Sequence, residues 1–324
     1  MDFLIDLFAN TQAALYEQVM QPMAFAMGLG SRLEDVFDAT GWLLIGLLQI
    51  AVMLTVIGPL QRWRPVEPVT DRRAVRTDVL YTVIHRLGLF RCVLFFTIDP
   101  WIDDRLGEMR TAGFGTFHLE DVWPGVTDGP WTSFLIYLVV FDFLNYWLHR
   151  AQHQFNPWWA LHAVHHSQRQ MTQWTDNRNH LLDDVLHALI WVMVAQVIGI
   201  APSQFVAVVA LTQLSESFQH ANLRVSFGWW GERLWVSPRF HRTHHGVGIG
   251  HETHGAHSLG GHNFGVLLPW WDMLFGTADF GPRFEPTGIR DQVEEGRDYG
   301  QGFWAQQRLG LKRFFSAWGT SSGL

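Results

Sequence analysis

Four long apolar stretches stand out from the mixed pattern of hydrophobic and polar positions along the chain. They cover residues 41–60, 79–98, 131–148 and 185–217. The first three have about the 20 residues that a helix needs to cross a bilayer. The fourth is interrupted by Gly199 and Pro202, which predict a helical hairpin, and its short arms fit either crossing or re-entrant helices. The pattern therefore predicts an all-α fold, an integral-membrane helical bundle of about four spanning helices.

The charged residues around these stretches indicate an orientation. Residues 79–98 are a weaker membrane candidate because they include charged side chains, which generally face protein or reach toward the interface when they lie in a span. Five arginines closely follow the first stretch: Arg62, Arg64, Arg72, Arg73 and Arg76. The arginine side is cytoplasmic by the positive-inside rule. We therefore expect a protein of a bacterial inner membrane, in which residues 149–184 and 219–324 form a cytosolic helical cap.

Composition supports a membrane protein and excludes several classes of function. Charged residues make up 16% of the chain and apolar residues 48%, whereas soluble domains usually contain about 25% charged residues. The net charge of −7 provides no basic surface for nucleic acid. Cys92 is the only cysteine, so the chain cannot form an intrachain disulfide, a cysteine-ligated zinc site or an iron–sulfur cluster. The opening residues, with Asp2 and Asp6 and no basic cluster, do not fit a secretory signal peptide.

Three clusters of histidines carry the candidate chemistry. They comprise His149 and His153; His162, His165 and His166; and His241, His244 and His245. Residues three and four apart lie on one face of an α-helix, with about 5–6 Å between Cβ atoms, so each cluster can present its imidazoles to one volume. Neutral imidazole suits iron, zinc, copper and nickel, and eight such ligands exceed what one ion needs. The spacing therefore predicts a dimetal site in the cytosolic cap.

Other polar residues near these clusters are further candidates. We expect His180 and His220, each at the boundary of an apolar stretch, to join the metal ligands. Asp142 lies on the same helical face as His149, where a carboxylate can orient a ligand imidazole. A Gly-rich run predicts a mobile loop near the site rather than more ligands. Its histidines are His251, His254, His257 and His262.

In their order along the chain, these segments resemble the fatty acid hydroxylase / sterol desaturase superfamily. The resemblance covers about residues 142–277 and rests on the series HRAQH, LHAVHHS, NRNH, QHAN, PRFHRTHH, NFG and WWDMLFGT. It implies a helical membrane anchor and a cytosolic cap with two non-haem iron ions, and dioxygen as the co-substrate. The three clusters match the family's histidine boxes, and His220 matches its QHxN segment. Asn222 and Asn263 lie in matching motifs, which implies positions beside the ligands. Where the family has Arg-x-His-Pro-x-Glu, this chain has RNHLLD, without the proline and ending in Asp183.

The resemblance also implies an activity and partners. The expected enzyme is an oxidoreductase that hydroxylates or desaturates a lipid-like substrate drawn from the membrane. Its electrons come from a separate donor protein, a cytochrome or ferredoxin with a reductase, since the chain has no Rossmann Gly-rich fingerprint, haem-attachment cysteine pair or cysteine cluster. No organic cofactor site is expected. Fatty acyl chains, sterols, ether lipids, carotenoids and aminolipids all stay open as substrates.

Two other functions also remain open at this stage. A membrane b-type cytochrome would hold haem between paired histidines and carry electrons. A metal transporter would need polar ligands near the middle of the membrane. For either function or for the enzyme, the sequence suggests one structural unit with a membrane anchor region at 1–130, a histidine-box catalytic domain at 131–280 and a C-terminal tail at 281–324.

Overall fold

The computed structural model describes residues 2–247 and 261–319. Within these ranges the regular structure is helical, and the only β pairing is an isolated bridge between Gly246 and Thr287. The all-α fold predicted from the sequence is thus confirmed. The α-helices are, in chain order, α1 Asp2–Leu15, α2 Gln21–Ala26, α3 Leu33–Val52, α4 Gly58–Trp63, α5 Arg72–Arg86, α6 Leu89–Thr97, α7 Asp99–Thr111, α8 Pro130–Gln154, α9 Asn156–His166, α10 Leu181–Ile198, α11 Pro202–Gln219, α12 Gly228–Gly231, α13 Pro238–His244, α14 Trp270–Phe275, α15 Arg290–Glu294 and α16 Phe303–Gly319.

Three helical segments in the described part of the chain are long and apolar enough to cross a membrane. They are Gly30–Trp63, which contains α3 and α4; Pro130–Gln154, which is α8; and Leu181–Ile198, which is α10. The stretch at 79–98 is not among them, because a turn at Gly88 (φ +72°) divides it into α5 and α6. The predicted hairpin is present, since α10 ends before Gly199 (φ +65°) and α11 begins at Pro202.

The chain forms two compact units. One comprises Met1–Val52 and Thr82–Ala112, and the other comprises Met53–Tyr81 and Gly113–Leu324. The predicted catalytic domain at 131–280 lies in the second unit together with the C-terminal tail, whereas region 1–130 contributes to both units. A functional division at residues 130 and 280 stays a prediction.

An apolar core in the second unit fixes the helix that carries the first histidine cluster. Tyr137 and Phe141 on α8 belong to one buried cluster with Trp191 on α10 and Val208 on α11. The rings of Phe141 and Trp191 lie 4.6 Å apart between centroids. Burial of each such side chain contributes roughly 1.5–3 kcal/mol. Packing on this side of α8 therefore holds the C-terminal end of the helix, where the first two histidines lie.

Local signals in the sequence set the ends of the helices that carry the other clusters. Phe155 is extended (φ −94°, ψ 115°) and separates α8 from α9. Pro157 lies in the first turn of α9, where a missing backbone N–H is tolerated. At the start of α13, the hydroxyl of Ser237 accepts a hydrogen bond of 3.1 Å from the backbone N–H of Phe240, a typical N-terminal cap. The turn before α9 and the cap of α13 therefore determine where these short helices begin.

The C-terminal helix packs against the helix of the second cluster. In this contact α16 lies along α9. The side-chain amide of Gln307 donates to the Tyr81 hydroxyl at 2.9 Å and to the backbone oxygen of Asn179 at 3.0 Å. A Cβ added at Gly310 would lie 2.6 Å from the ring of His180, so the close approach requires glycine. The described part of the tail is thus an integral part of the second unit.

Candidate metal centre

Nine buried histidines converge in the second unit. One group, here called the five-histidine group, contains His149, His153, His162, His166 and His244; the other, the four-histidine group, contains His165, His220, His241 and His245. Within each group the candidate ligand nitrogens all lie within 4.8 Å of one another. The structure thus brings together nine of the ten histidines that the sequence suggested as ligands.

Each helix with an i, i+3, i+4 cluster contributes to both groups. On α9, His162 and His166 belong to the five-histidine group and His165 belongs to the four-histidine group. On α13, His244 joins the first group, while His241 and the following His245 join the second. The two groups are immediate neighbours, since the rings of His166 and His245 stack with 4.3 Å between centroids. This arrangement explains why the cluster spacing is repeated.

Backbone carbonyls fix the orientation of three candidate ligand rings. The Nδ1 atom of His149 lies 2.9 Å from the oxygen of Phe264, that of His244 lies 2.8 Å from the oxygen of His262, and that of His220 lies 2.8 Å from the oxygen of Glu216. A carbonyl can only accept a hydrogen bond, so Nδ1 must carry the proton in each ring. The Nε2 lone pair of each neutral ring is then available to a metal ion.

A buried carboxylate orients a fourth ring. Asp183 lies 3.4 Å from Nδ1 of His162. The same carboxylate accepts hydrogen bonds from the side-chain amide of Gln152 at 2.9 Å and from the indole of Trp158 at 2.6 Å. Hydrogen bonds of this kind fix the tautomer of a ligand and raise its basicity. Asp183 is therefore a positioning residue, which sequence reasoning did not identify, although it ends the RNHLLD segment that suggested His180.

The distances between ring nitrogens fit bound metal ions. In the four-histidine group the Nε2 atom of His220 lies 3.1 Å from that of His165 and 2.9 Å from that of His241. The Nε2 atoms of His241 and His245 lie 3.2 Å apart. Metal–imidazole bonds are about 2.0–2.1 Å long, so two such bonds at right angles place their nitrogens about 3 Å apart. In the five-histidine group, the buried Nε2 atom of His162 has no hydrogen-bond partner in the described part of the chain. In the described part of the chain both groups consist of imidazoles alone, which suit iron, zinc, copper or nickel.

Burial keeps the ligand rings in the form that binds metal. Burial, reinforced by neighbouring histidines, lowers the pKa of His166, His241 and His245 well below the usual value. Burial lowers the pKa of His244 to about 3, although its hydrogen bond to the His262 carbonyl acts in the opposite direction. The rings are therefore neutral near pH 7, as metal ligation requires.

His180 does not join either group, contrary to the sequence prediction. Its Nε2 atom donates to the backbone oxygen of Gln307 at 2.8 Å. Its Nδ1 atom accepts from the backbone N–H of Leu182 at 3.1 Å and so caps α10. Both ring nitrogens are used by the backbone, and neither is left for a metal. The ring instead joins α10 to the C-terminal helix α16.

Asp142 does not orient a ligand imidazole, as the sequence suggested. Its carboxylate accepts from the backbone N–H groups of Leu267 at 2.7 Å and Leu268 at 3.1 Å, and from the indole of Trp271 at 2.9 Å. These bonds attach the segment after Phe264 to α8. Asp142 therefore acts on the ligands only by holding the chain that supplies the carbonyl to His149.

The two asparagines also hold backbone rather than ligands. Asn222 accepts from the N–H of Val66 at 3.1 Å and donates to the oxygen of Glu67 at 2.7 Å. Asn263 (φ +61°) donates to the oxygens of Phe240 and Asp279, each at 3.0 Å. No hydrogen bond from either side chain to a ligand ring occurs in residues 2–247 and 261–319. Both side chains therefore hold backbone segments, and the predicted place beside the ligands is not supported by a direct contact.

Only the end of the Gly-rich run lies within the described residues. His251, His254 and His257 lie outside the described residues, so the loop predicted from them stays a prediction. The side chain of His262 is exposed, while its backbone oxygen accepts the hydrogen bond from His244. The side-chain pattern of the sequence cannot identify backbone acceptors such as the oxygens of His262 and Phe264.

Comparisons with known proteins agree with this geometry. Residues 134–277 match the family model described as Fatty acid hydroxylase. Ornithine lipid hydroxylase OlsE of Rhizobium tropici is 24% identical over 247 residues, which are 75% of this chain and 70% of that protein. Alkylglycerol monooxygenase of Xenopus tropicalis is 30% identical over 152 residues, 46% of this chain and 31% of that protein. Delta(7)-sterol-C5(6)-desaturase of Nicotiana tabacum is 28% identical over 184 residues, 52% of this chain and 55% of that protein. No solved structure matches the chain significantly.

Residues 134–277 thus match a fatty acid hydroxylase domain, and these relatives are all members of the fatty acid hydroxylase / sterol desaturase superfamily. Members of this superfamily are iron-dependent oxidoreductases that act on lipids. The matched region contains all nine histidines of the two groups. The resemblance inferred from the histidine motifs is thereby confirmed, and the chain is a lipid oxidoreductase with two histidine groups that could hold metal ions.

Proposed function

We propose that the chain is a dioxygen-dependent lipid hydroxylase that holds one iron ion in each histidine group. The observation that carries this proposal is the pair of adjacent all-histidine groups, one of five rings and one of four. Two separate sets of ligands support two ions rather than one. Iron is the metal of the superfamily, and dioxygen is the oxidant that such iron centres use.

The residues of the chain would hold the metal ions and exclude water, but they would not themselves break the C–H bond. A C–H bond in a lipid chain has no acidic proton and no leaving group, so side-chain acids and bases cannot break it usefully; the iron ions supply the activation of dioxygen when they are bound. His149, His220 and His244 present Nε2 because their Nδ1 atoms donate to carbonyls. All nine rings are buried, which excludes bulk water from the site that would hold the iron ions.

The relatives favour hydroxylation of a lipid with a polar headgroup. Ornithine lipid hydroxylase OlsE aligns with 75% of this chain, and alkylglycerol monooxygenase also adds oxygen, as its name states. The sterol desaturase matches a smaller share of the chain than OlsE does. We therefore propose an aminolipid as the substrate and hydroxylation as the reaction.

The membrane setting supports a proposal for the electron donor. In the described part of the chain, three helices are apolar and long enough to span a bilayer, and the arginines after the first of them support a cytoplasmic location for the histidine groups. A lipid would reach the site from the bilayer, and a separate cytochrome or ferredoxin with its reductase would deliver electrons from the cytoplasm.

Lipid analysis of cells with and without the chain tests the proposed function. Cells grown under ¹⁸O₂ are expected to show one lipid class that gains a single ¹⁸O atom only when the chain is expressed. Incorporation from labelled water instead of labelled dioxygen would contradict an oxygenase. Loss of two hydrogens without gain of oxygen would establish desaturation in place of hydroxylation. No change in any lipid class, with iron and a donor supplied, would contradict both.

A further inference from the structure

A cavity of about 600 Å³ lies behind the helix of the second histidine cluster. One wall is the start of α5, a second is the segment that directly follows His166, and a third is the tail segment between α15 and α16. Ligand cavities in proteins generally have volumes of about 300–1,000 Å³. The cavity is therefore large enough to receive a small polar group, and it belongs wholly to the second unit.

Two of the arginines that line the cavity are exposed and form no ion pair in the described part of the chain. Four arginines line the cavity: Arg73, Arg169, Arg178 and Arg297. Arg178 forms a buried ion pair with Asp78, and Arg297 is 2.7 Å from Asp291. Arg73 donates to the side chain of Gln301 at 3.2 Å but has no ion pair, and Arg169 has neither an ion pair nor a hydrogen bond in the described part of the chain. Two guanidinium groups are therefore available to an oxyanion.

The same cavity contains negative charge without a paired cation. Asp71 and Asp298 both line it. Each uses its Oδ1 atom on backbone, Asp71 for the N–H of Ala74 at 2.9 Å and Asp298 for the N–H of Gly300 at 2.8 Å. Neither carboxylate forms an ion pair within residues 2–247 and 261–319. Gln306, also in the wall, is buried, and its Oε1 atom accepts no hydrogen bond among these residues.

Unpaired charges of both signs in one cavity fit a ligand that also carries both signs. All four side chains are exposed to solvent. An oxyanion alone would pair only with the arginines, and an ammonium alone only with the aspartates. A neutral headgroup would leave all four charges unpaired. A zwitterion, with a carboxylate or phosphate and an ammonium, can satisfy both sets of side chains.

The position of the cavity connects it to the metal centre. Ser167 and Gln168 line the cavity and directly follow His165 and His166, which supply one ligand to each group. Asp71 lies shortly after Trp63, where the first candidate membrane helix ends. A lipid headgroup held here would be anchored at the end of a ligand helix, close to the end of a membrane segment.

We infer that this cavity binds the zwitterionic headgroup of the lipid substrate, with the oxyanion at Arg73 and Arg169 and the ammonium at Asp71 and Asp298. The inference rests on the proposed lipid oxidation and specifies its substrate class. The tail segment, which supplies Asp298 and Gln306, has a function in selecting the substrate. Headgroup selection would then be separate from the metal chemistry, because no residue of this set is a ligand.

Binding of defined lipids to the full chain in neutral detergent tests the inference without turnover. The probes are an N-acylated ornithine lipid, which carries both charges, a phosphatidic acid, which carries only an oxyanion, and a diacylglycerol, which carries neither. Native mass spectrometry gives the affinity of each. The ornithine lipid is expected to bind about tenfold more tightly than the other two, as loss of one charge-assisted hydrogen bond would require.

Substitutions in the cavity and outside it provide matched controls. Arg169→Gln and Asp298→Asn are each expected to reduce the preference for the ornithine lipid about tenfold without lowering the metal content. Arg76→Gln on α5 and Asp128→Asn are exposed changes outside the cavity and are expected to leave the preference intact. Equal binding of all three lipids, or an unchanged preference in both cavity variants, would overturn the inference.

Three further outcomes distinguish a soluble ligand from a lipid headgroup, and the headgroup site from the proposed function. If free ornithine competes as strongly as the lipid, the cavity takes a soluble zwitterion and the headgroup assignment is overturned. If the cavity variants lose the lipid preference but no oxygenated lipid forms in cells, the headgroup site stands and the proposed function fails. If oxygenated lipid forms and the variants keep their preference, the function stands and the headgroup site fails.

Discussion

Replacement of His165 or His244 with alanine is expected to abolish lipid oxidation. Each residue supplies a buried ring to one metal group, His165 to the group of four and His244 to the group of five. Changes even at residues that only support metal ligands typically cost 10- to 100-fold, so removal of a ligand should reduce activity by at least about 100-fold. Activity is measured as oxygenated lipid per mole of membrane-inserted protein.

The metal content should distinguish the two variants. His165→Ala leaves three rings in its group, and His244→Ala leaves four, so we expect a larger loss of bound iron from His165→Ala. The matched control is His262→Ala, because the side chain of His262 is exposed and its backbone oxygen, the acceptor for His244, is retained. Full activity in either ligand variant, at normal levels of inserted protein, would remove that residue from the ligand set.

Replacement of Asp183 with alanine is expected to have the next largest effect. The carboxylate faces Nδ1 of His162 and accepts hydrogen bonds from Gln152 and Trp158. Its removal leaves buried donors unpaired and frees the His162 ring to rotate. We expect a loss of about 10- to 100-fold in iron affinity or activity, measured by iron titration and by lipid oxidation.

A conservative change separates orientation of the ring from simple destabilisation. Asp183→Asn keeps one acceptor oxygen and the volume of the side chain, but it loses the charge that supports His162. Iron affinity should therefore fall less than in Asp183→Ala, and added iron should partly restore activity in the asparagine variant. If the two variants unfold at lower temperature yet keep wild-type iron affinity, Asp183 has only a structural role.

The chemistry of the site was more predictable from sequence than its surroundings. The i, i+3, i+4 spacing of His162, His165 and His166 requires their rings to share one side of a helix, and the structure places them in adjacent metal groups. His180 was predicted only from its position at the boundary of an apolar stretch, and it lies where the backbone of Gln307 reaches its ring. The partner that excludes it comes from the C-terminal helix, more than a hundred residues away, and no local pattern reports such a contact.

The residues that support the ligands were the hardest to predict. Asp142 shares a helical face with His149, yet the segment at Leu267 and Leu268 takes its carboxylate. The groups that orient His149 and His244 are backbone oxygens, which every residue possesses. Apolar length predicted the first and third membrane stretches, whereas Gly88 divides the second into two helices. A glycine with positive φ ends a helix whatever the hydrophobicity around it.

Titration of the metal-depleted full chain with ferrous iron under argon, followed by Mössbauer spectroscopy, tests the paired metal centre most directly. Binding should saturate at two ions per chain, one for each histidine group. The spectrum should contain two ferrous signals of equal area, because five and four rings provide different surroundings. Saturation at one ion per chain, or iron that binds equally well after removal of both His165 and His244, would contradict the account.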